Sequence, residues 1–241
     1  MAILIFLAAH WYLSLFCQTF FLHRYAAHAM FKMSPFWEKC FFILSWIAQG
    51  SSYLSAYAYG VMHRMHHTFA DTEHDPHSPK YDKTLFSMMW RTKGVYTEIF
   101  YKEIEVENRF TEEVPEWFTF EKIAHSWLAR LFWAGAYIAF YIFFATEWWM
   151  FLFLPAHFVM GPLHGAVINW FAHKYGYRNF EVKDTSMNIL PFDFLMLGEG
   201  YHNNHHHNSA SANFGHKWYE IDLVYPVILL LDKIKIIKLK S

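Results

Sequence analysis

The first 22 residues carry no charged side chain, and Arg24 is the first basic or acidic group in the chain. About 20 apolar residues at 1.5 Å each reach across the hydrocarbon core of a bilayer. Segment 1–22 therefore reads as a span. It has no basic leader and no clear small-residue cleavage site follows it, so a retained anchor is expected in place of a removed signal peptide. A second uncharged stretch, 40–62, is interrupted at its middle by Gln49, Gly50, Ser51 and Ser52. Residues 131–146 and 148–172 form two more apolar runs separated only by Glu147, which predicts a tight transmembrane hairpin over 131–172.

Composition agrees with a chain that faces lipid. Hydrophobic residues make up 55% of it and charged residues 17%, against about 25% charged in typical soluble domains. Twenty basic and twenty-one acidic residues give a net charge of −1, which builds no footprint for a nucleic-acid partner. The two cysteines, Cys17 and Cys40, lie in apolar runs and supply neither a disulfide framework nor a thiolate cluster.

All twenty Lys and Arg follow residue 22, so the positive-inside rule places 23–39, 63–130 and 173–241 on the cytoplasmic side and Met1 outside. If 40–62 crossed once, the histidines before and after it would face opposite compartments. It is therefore expected to dip in and return at Gln49–Ser52, or to lie along the interface. The expected fold is all-α: an integral membrane helical bundle of about three spans plus one interfacial or re-entrant segment. A cytoplasmic helical part made of 63–130 and 173–241 caps it, the whole being one domain over 1–241. The closing Ile234–Lys240 pattern reads either as a helix lying along anionic lipid or as a solvated basic tail.

Seventeen histidines are the unusual abundance, and their spacing is more telling than their number. His23-Arg-Tyr-Ala-Ala-His28 follows the first run, His63-Arg-Met-His66-His67 the second, and His202-Asn-Asn-His205-His206 lies beyond the hairpin. Two HxxHH patterns in one chain of this composition arise by chance in roughly fewer than one chain in a hundred. Residues i, i+3 and i+4 share a helix face, so each HxxHH aims three imidazoles one way. His23 and His28, five apart, diverge by about 140° on an α-helix; they serve different metals, or the helix loosens between them. Asn169 and His173 are four apart at the end of the last apolar run and share a face. Neutral imidazole suits Fe, Zn, Cu and Ni, which leaves the metal open.

Boxes of the form HxxxxH, HxxHH and HxxHH, with NxxxH before the last, resemble those of the membrane-bound fatty acyl desaturases, closest to the delta-9 acyl-CoA branch. Asp71-Thr-Glu-His-Asp-Pro-His77 and Gly198-Glu-Gly-Tyr-His202 match as well, and the likeness covers roughly residues 10 to 225. It implies a centre of two Fe ions held by His23, His28, His63, His66, His67, His173, His202, His205 and His206, with Asn169 reaching one iron through a water. It also implies O2 as co-substrate and a fatty acyl substrate carried by coenzyme A, acyl carrier protein or lipid. The product would be a cis alkene, with delta-9 the expected position. A separate electron donor such as ferredoxin or cytochrome b5 is expected, because no segment here reads as a fused electron carrier. Family members of known architecture have four spans; one crossing fewer is expected here. The nearest rival is a membrane di-iron hydroxylase or oxygenase acting on lipids or carotenoids.

Around such a centre, Asp71, Glu73, Asp75 and Glu199 are candidates to fix imidazole tautomers. Tyr53, Tyr57, Trp170 and Phe171 are candidate walls for an acyl tunnel, and Arg64, Arg91, Lys93 and Lys102 candidate contacts for head-group phosphates. His74 and His77 are expected to orient a loop closing over the metals. His10, His125, His157, His164, His207 and His216 are expected to be structural or solvated.

Overall fold

The computed structural model describes residues 1–240. Helix α1 (Ala2–Cys17) runs without a break into a π-helical segment, Gln18–Ala27, and the 26 residues together are long and apolar enough to cross a membrane. The first apolar run thus extends five residues past residue 22 and carries His23 inside the helix. Strand β1 (Phe31–Met33) follows. Helix α2 (Pro35–Gln49) begins with proline at its first turn and Ser34 as cap, where a missing N–H costs nothing.

Gly50, at φ 54°, ends α2, and a 3-10 turn over Gly50–Ser52 reverses the chain into α3 (Ala56–Phe69). The left-handed backbone favours glycine, and a Cβ there would fall 1.6 Å from Tyr137 Oη. The polar break read at Gln49–Ser52 is therefore a real turn, and α3 comes back to the chain that α2 left: Gly60 packs on the Ala26 carbonyl. The helical arms extend beyond 40–62 at both ends.

Helices α4 (Leu85–Tyr101), α5 (Asn108–Thr111) and α6 (Phe118–Ala124) lead to α7 (Trp127–Phe144), the second helix long and apolar enough to span. It starts four residues before the expected Leu131, where Ser126 accepts the Ala129 N–H at 3.2 Å. Its outer face leaves Leu128, Leu131, Phe132, Ile142 and Phe143 exposed, as a lipid-facing surface does.

The returning limb of the expected hairpin is not one helix. A 3-10 segment (Trp148–Phe153), α8 (Leu154–Phe158), α9 (Met160–Ala166) and a π turn (Val167–Phe171) follow one another, with a 74° bend between Phe158 and Met160. Pro162 has no N–H for the Phe158 carbonyl, and the Ser51 hydroxyl donates to that oxygen instead, at 3.4 Å. Gly161 lets the bend press against the Gly50–Ser52 turn, its N–H donating to Ser52 Oγ at 3.0 Å and its Cα so close that a Cβ would meet the Ser52 carbonyl at 2.9 Å. Counting the bent limb, the chain has three candidate crossings.

The last part is loop-rich around α10 (His202–His207) and ends in α11 (Tyr225–Lys233) and strand β2 (Ile237–Leu239). β2 pairs antiparallel with β1, Phe31 opposite Leu239. Neither reading of the Ile234–Lys240 tail anticipated this ribbon. Its Ile-Lys-Leu stretch alternates with period two, which suits a half-buried strand, and Ile237 is buried. Phe20, Phe21, Phe31, Phe41, Phe42, Tyr201 and Phe214 form the main core, which joins α1, α2, the ribbon and the approach to α10.

Candidate metal centre

The π-helical winding after α1 resolves the spacing of the first box. His28 N–H donates to the His23 carbonyl five residues back, at 3.1 Å; the wider i→i+5 winding brings residues five apart closer to one face than an α-helix does, and the two rings lie with centroids 5.0 Å apart. Both imidazoles therefore point the same way: of the two alternatives, the helix loosens. α3 and α10 present the other two boxes, and His173 follows the π turn that carries Asn169.

The nine histidines expected as ligands gather into two adjoining groups. His23, His28, His63, His67 and His205 form one; His66, His173, His202 and His206 form the other, and within each the ligand atoms lie within 4.8 Å of one another. Each HxxHH box is split between the groups. The Nε2 atoms converge at 3.0 Å for His23 and His205, 2.9 Å for His28 and His63, 3.0 Å for His67 with both His63 and His205, and 3.0 Å for His173 and His202. His66 and His206 are 3.3 Å apart. Two ligands at about 2.1 Å from one ion and at right angles to each other are themselves about 3.0 Å apart.

The opposite edges of four of the nine rings are tied down, whereas the buried Nδ1 atoms of His202 and His205 have no partner among the described residues. His23 Nδ1 donates to Glu199 at 2.7 Å, His66 Nδ1 to Asp75 at 2.9 Å, His206 Nδ1 to Asp184 at 2.9 Å and His173 Nδ1 to Thr185 Oγ1 at 3.2 Å. Asp71 stands 3.8 Å from His173 and also receives the Thr185 N–H at 2.6 Å. A proton held on Nδ1 leaves Nε2 bare. Burial first, and then the neighbouring imidazoles, hold His63, His202, His205 and His206 well below the usual histidine range, and His28 and His67 likewise. Bare nitrogens face one another at contact distance, an arrangement that repels unless a cation sits between them. This donor set fits two transition-metal ions, five nitrogens at one and four at the other, with positions left for other ligands.

Of the four acidic candidates, Glu199 and Asp75 take the expected place and Asp71 is adjacent, while Glu73 is exposed. Asp184 and Thr185 were missed; they lie eleven and twelve residues after His173, and no spacing rule links them. Arg24 was also missed. It is fully buried, donating to Asp222 at 2.7 Å, to Glu199 at 3.2 Å and to the Thr19 hydroxyl, with Phe214 under its guanidinium at 3.7 Å. A charge inside the first box is itself the signal, since buried arginine requires acidic partners.

A partly enclosed cavity borders the two histidine groups. His23, His63, His202 and Asn169 line it together with Leu15, His164, Ile168 and Met196. None of the four expected wall aromatics is among its lining residues. Tyr59, one turn before His63 on α3, takes that place, whereas Tyr53 packs toward Glu121, Tyr57 lies beside Lys102 and Trp170 lies under Lys174. His77 is buried, lines the cavity and lies tilted against His66 with ring centroids 4.2 Å apart; His74 is exposed. On the opposite side a hollow open to solvent reaches His28 and His67 between Arg64 and Arg109. Arg64 spends its donors on the carbonyls of Ala27 and Glu112 at 2.6 Å, Arg91 on Asp82 and Lys102 on Glu116, and Lys93 lies over Trp90. His207 is exposed and stacks on Phe180.

A family model described as fatty acid desaturase matches residues 1–231. The delta-9 desaturase-like 5 protein of Arabidopsis thaliana is 28% identical over 89% of this chain and 68% of its own length. The sn-1 stearoyl-lipid 9-desaturase of Anabaena variabilis is 27% identical over 87% of this chain and 73% of its own. A hex-5-enoyl-[acyl-carrier protein] acetylenase of Moorena producens is 27% identical over 94% and 73%.

Proposed function

The chain belongs to the fatty acid desaturase family, and from that premise we propose that it introduces a cis double bond into a saturated fatty acyl chain. The double bond is placed at the delta-9 position, and the reaction consumes O2 and two electrons from a separate donor such as ferredoxin or cytochrome b5. The observation that carries the reading is the convergence of nine Nε2 atoms into a group of five and a group of four. In this reading His23, His28, His63, His67 and His205 hold one iron, His66, His173, His202 and His206 hold the other, and Asn169 reaches one of them through a water. The two irons, when bound, supply the dioxygen chemistry needed to take hydrogen from an unactivated methylene, which redox-silent zinc does not.

The chain's own side chains do the rest. Glu199, Asp75 and Asp184 keep the Nδ1 protons in place, so that the bare edges stay aimed inward while charge at the centre changes. The cavity beside His23, His63 and Asn169 holds the acyl chain away from water, and the head group, on coenzyme A, acyl carrier protein or lipid, stays outside. The solvent-open hollow at His28 and His67 offers the donor its shortest approach. Three crossings, with the Gly50–Ser52 turn re-entering from the same side, put every box on the cytoplasmic face.

The test is expression in a host that cannot make unsaturated lipids, followed by mass spectrometry with double-bond mapping. Loss of two hydrogens from an acyl chain is expected. Gain of one oxygen would establish the hydroxylase instead, and an unchanged lipid profile from iron-loaded protein would refute both.

A further inference from the structure

The ribbon of β1 and β2 sets two lysines face to face. Lys32 stands directly opposite Lys238 in the pairing, and like charges so placed repel. Both line an open hollow together with Lys235, Ser34 and Asp232. The three lysines are exposed, and among the described residues none of them pairs with a carboxylate; the tail's ion pair is instead Lys240 with Glu113, at 4.0 Å. Asp232, the one acidic lining residue, already accepts the Leu239 N–H on Oδ1 at 2.8 Å. Three cations against one carboxylate leave the hollow positive, and an anion seated there would relieve the repulsion between the paired lysines.

The surface that continues from the hollow is apolar. Ser34 is the cap of α2, and Phe36, two residues further on, is 67% exposed. Ile43, Leu44 and Ile47 follow at helical spacing and are exposed as well, so one face of α2 carries an apolar strip from the hollow toward the Gly50–Ser52 turn. A cationic hollow at the foot of such a strip matches the two halves of one molecule, a phosphate and an alkyl tail. A free inorganic anion would leave the strip bare, and an acidic protein would match the lysines but bring no tail. Resting on the membrane placement proposed above, in which α2 enters from the cytoplasmic side, we infer that the hollow is a head-group site for an anionic phospholipid. Its phosphate lies among Lys32, Lys235 and Lys238, and one tail lies along Phe36, Ile43, Leu44 and Ile47.

The experiment titrates the full chain in detergent with phosphatidylglycerol, phosphatidylcholine of the same tails, or glycerol phosphate, and counts bound molecules by native mass spectrometry. Phosphatidylglycerol is expected to bind about tenfold more tightly than phosphatidylcholine, or better. Each lysine removed should cost about fivefold, so Lys32→Gln with Lys238→Gln should weaken phosphatidylglycerol about twenty-five-fold. Because the paired charges repel, this variant should melt no lower than the parent in lipid-free detergent, which separates lost binding from lost folding. Lys83→Gln with Lys122→Gln removes the same charge from exposed positions outside the hollow and should leave binding within about twofold. Phe36→Ser should weaken both lipids. An equal loss from the Lys83 and Lys122 pair would reduce the effect to general charge attraction, and the site would fall. It would fall too if glycerol phosphate bound as tightly as the lipid, or if the Lys32 and Lys238 pair left lipid binding unchanged but slowed reduction of the iron-loaded protein by ferredoxin. Protein that enters vesicles of either lipid without preference would sink this inference alone, whereas protein that enters neither would sink the membrane placement.

Discussion

Replacing Asp75 by asparagine separates the carboxylate's effect on His66 from its bulk. Asp75 is buried; its Oδ1 accepts from His66 Nδ1 at 2.9 Å and the His77 N–H at 3.0 Å, and its Oδ2 accepts from the Asp71 N–H at 2.9 Å. Asparagine keeps one acceptor. Whichever way the amide turns, its NH2 group meets a backbone N–H, and the charge-assisted bond to His66, worth about 1.5–3 kcal/mol, is lost. The imidazole then does better with its proton on Nε2, the nitrogen aimed into the four-histidine group, and can no longer bind a metal there. Groups that orient ligands in this way typically cost ten- to a hundredfold in metal affinity when changed, and the four-histidine group has no spare nitrogen. The assay is chelator titration of the iron-loaded protein with elemental analysis, circular dichroism confirming the fold. Bound iron should drop from about two per chain to about one at chelator levels that leave the parent protein intact. Glu73→Gln, exposed two residues away, should match the parent. Identical chelator midpoints for Asp75→Asn and the parent would refute the carboxylate's role.

His66→Ala or His205→Ala should abolish double-bond formation and lower iron content while leaving membrane insertion unchanged; His207→Ala, altering only an exposed ring on Phe180, should retain full product by lipid profiling. Gly50→Ala places a Cβ against Tyr137 in a left-handed backbone, a cost of about 1–3 kcal/mol, so the thermal midpoint in detergent should fall, and adding Tyr137→Phe should recover only part of it. Burial would raise the Glu220 carboxyl, but the backbone N–H of Lys217, Tyr177, Asn179 and the N–H of His216 together take it down to about 2. Because this folded-state value lies below the ordinary one, the stability it adds is complete above about pH 4.5 and is lost as pH falls toward 2; the melting temperature of Glu220→Gln should therefore fall less than the parent's over that window.

What could be read from the sequence divides along a physical line. The apolar helices read at 1–22 and 131–146, the turn at Gln49–Ser52 and the three boxes were legible because each rests on a local rule: apolar length, a polar break, helical spacing. Two features were not, and each was decided by a contact between distant segments. The bend at Val159 joins a proline that frees the Phe158 carbonyl to a serine hydroxyl more than a hundred residues earlier that takes it. The tail becomes a strand because β1 offers it an edge. The first box lies between these cases. Its five-residue spacing forced a choice between two metals and a loosened helix, and the pattern alone could not make it. The π-helical winding did, and it also turned Arg24 inward onto Glu199 and Asp222. One backbone irregularity thus sets both a histidine pair and the buried charge network behind it. Arg24 should therefore be as sensitive to substitution as the histidines that flank it, although it touches neither metal group: truncating one member of such a network leaves the others uncompensated, at about 3–5 kcal/mol.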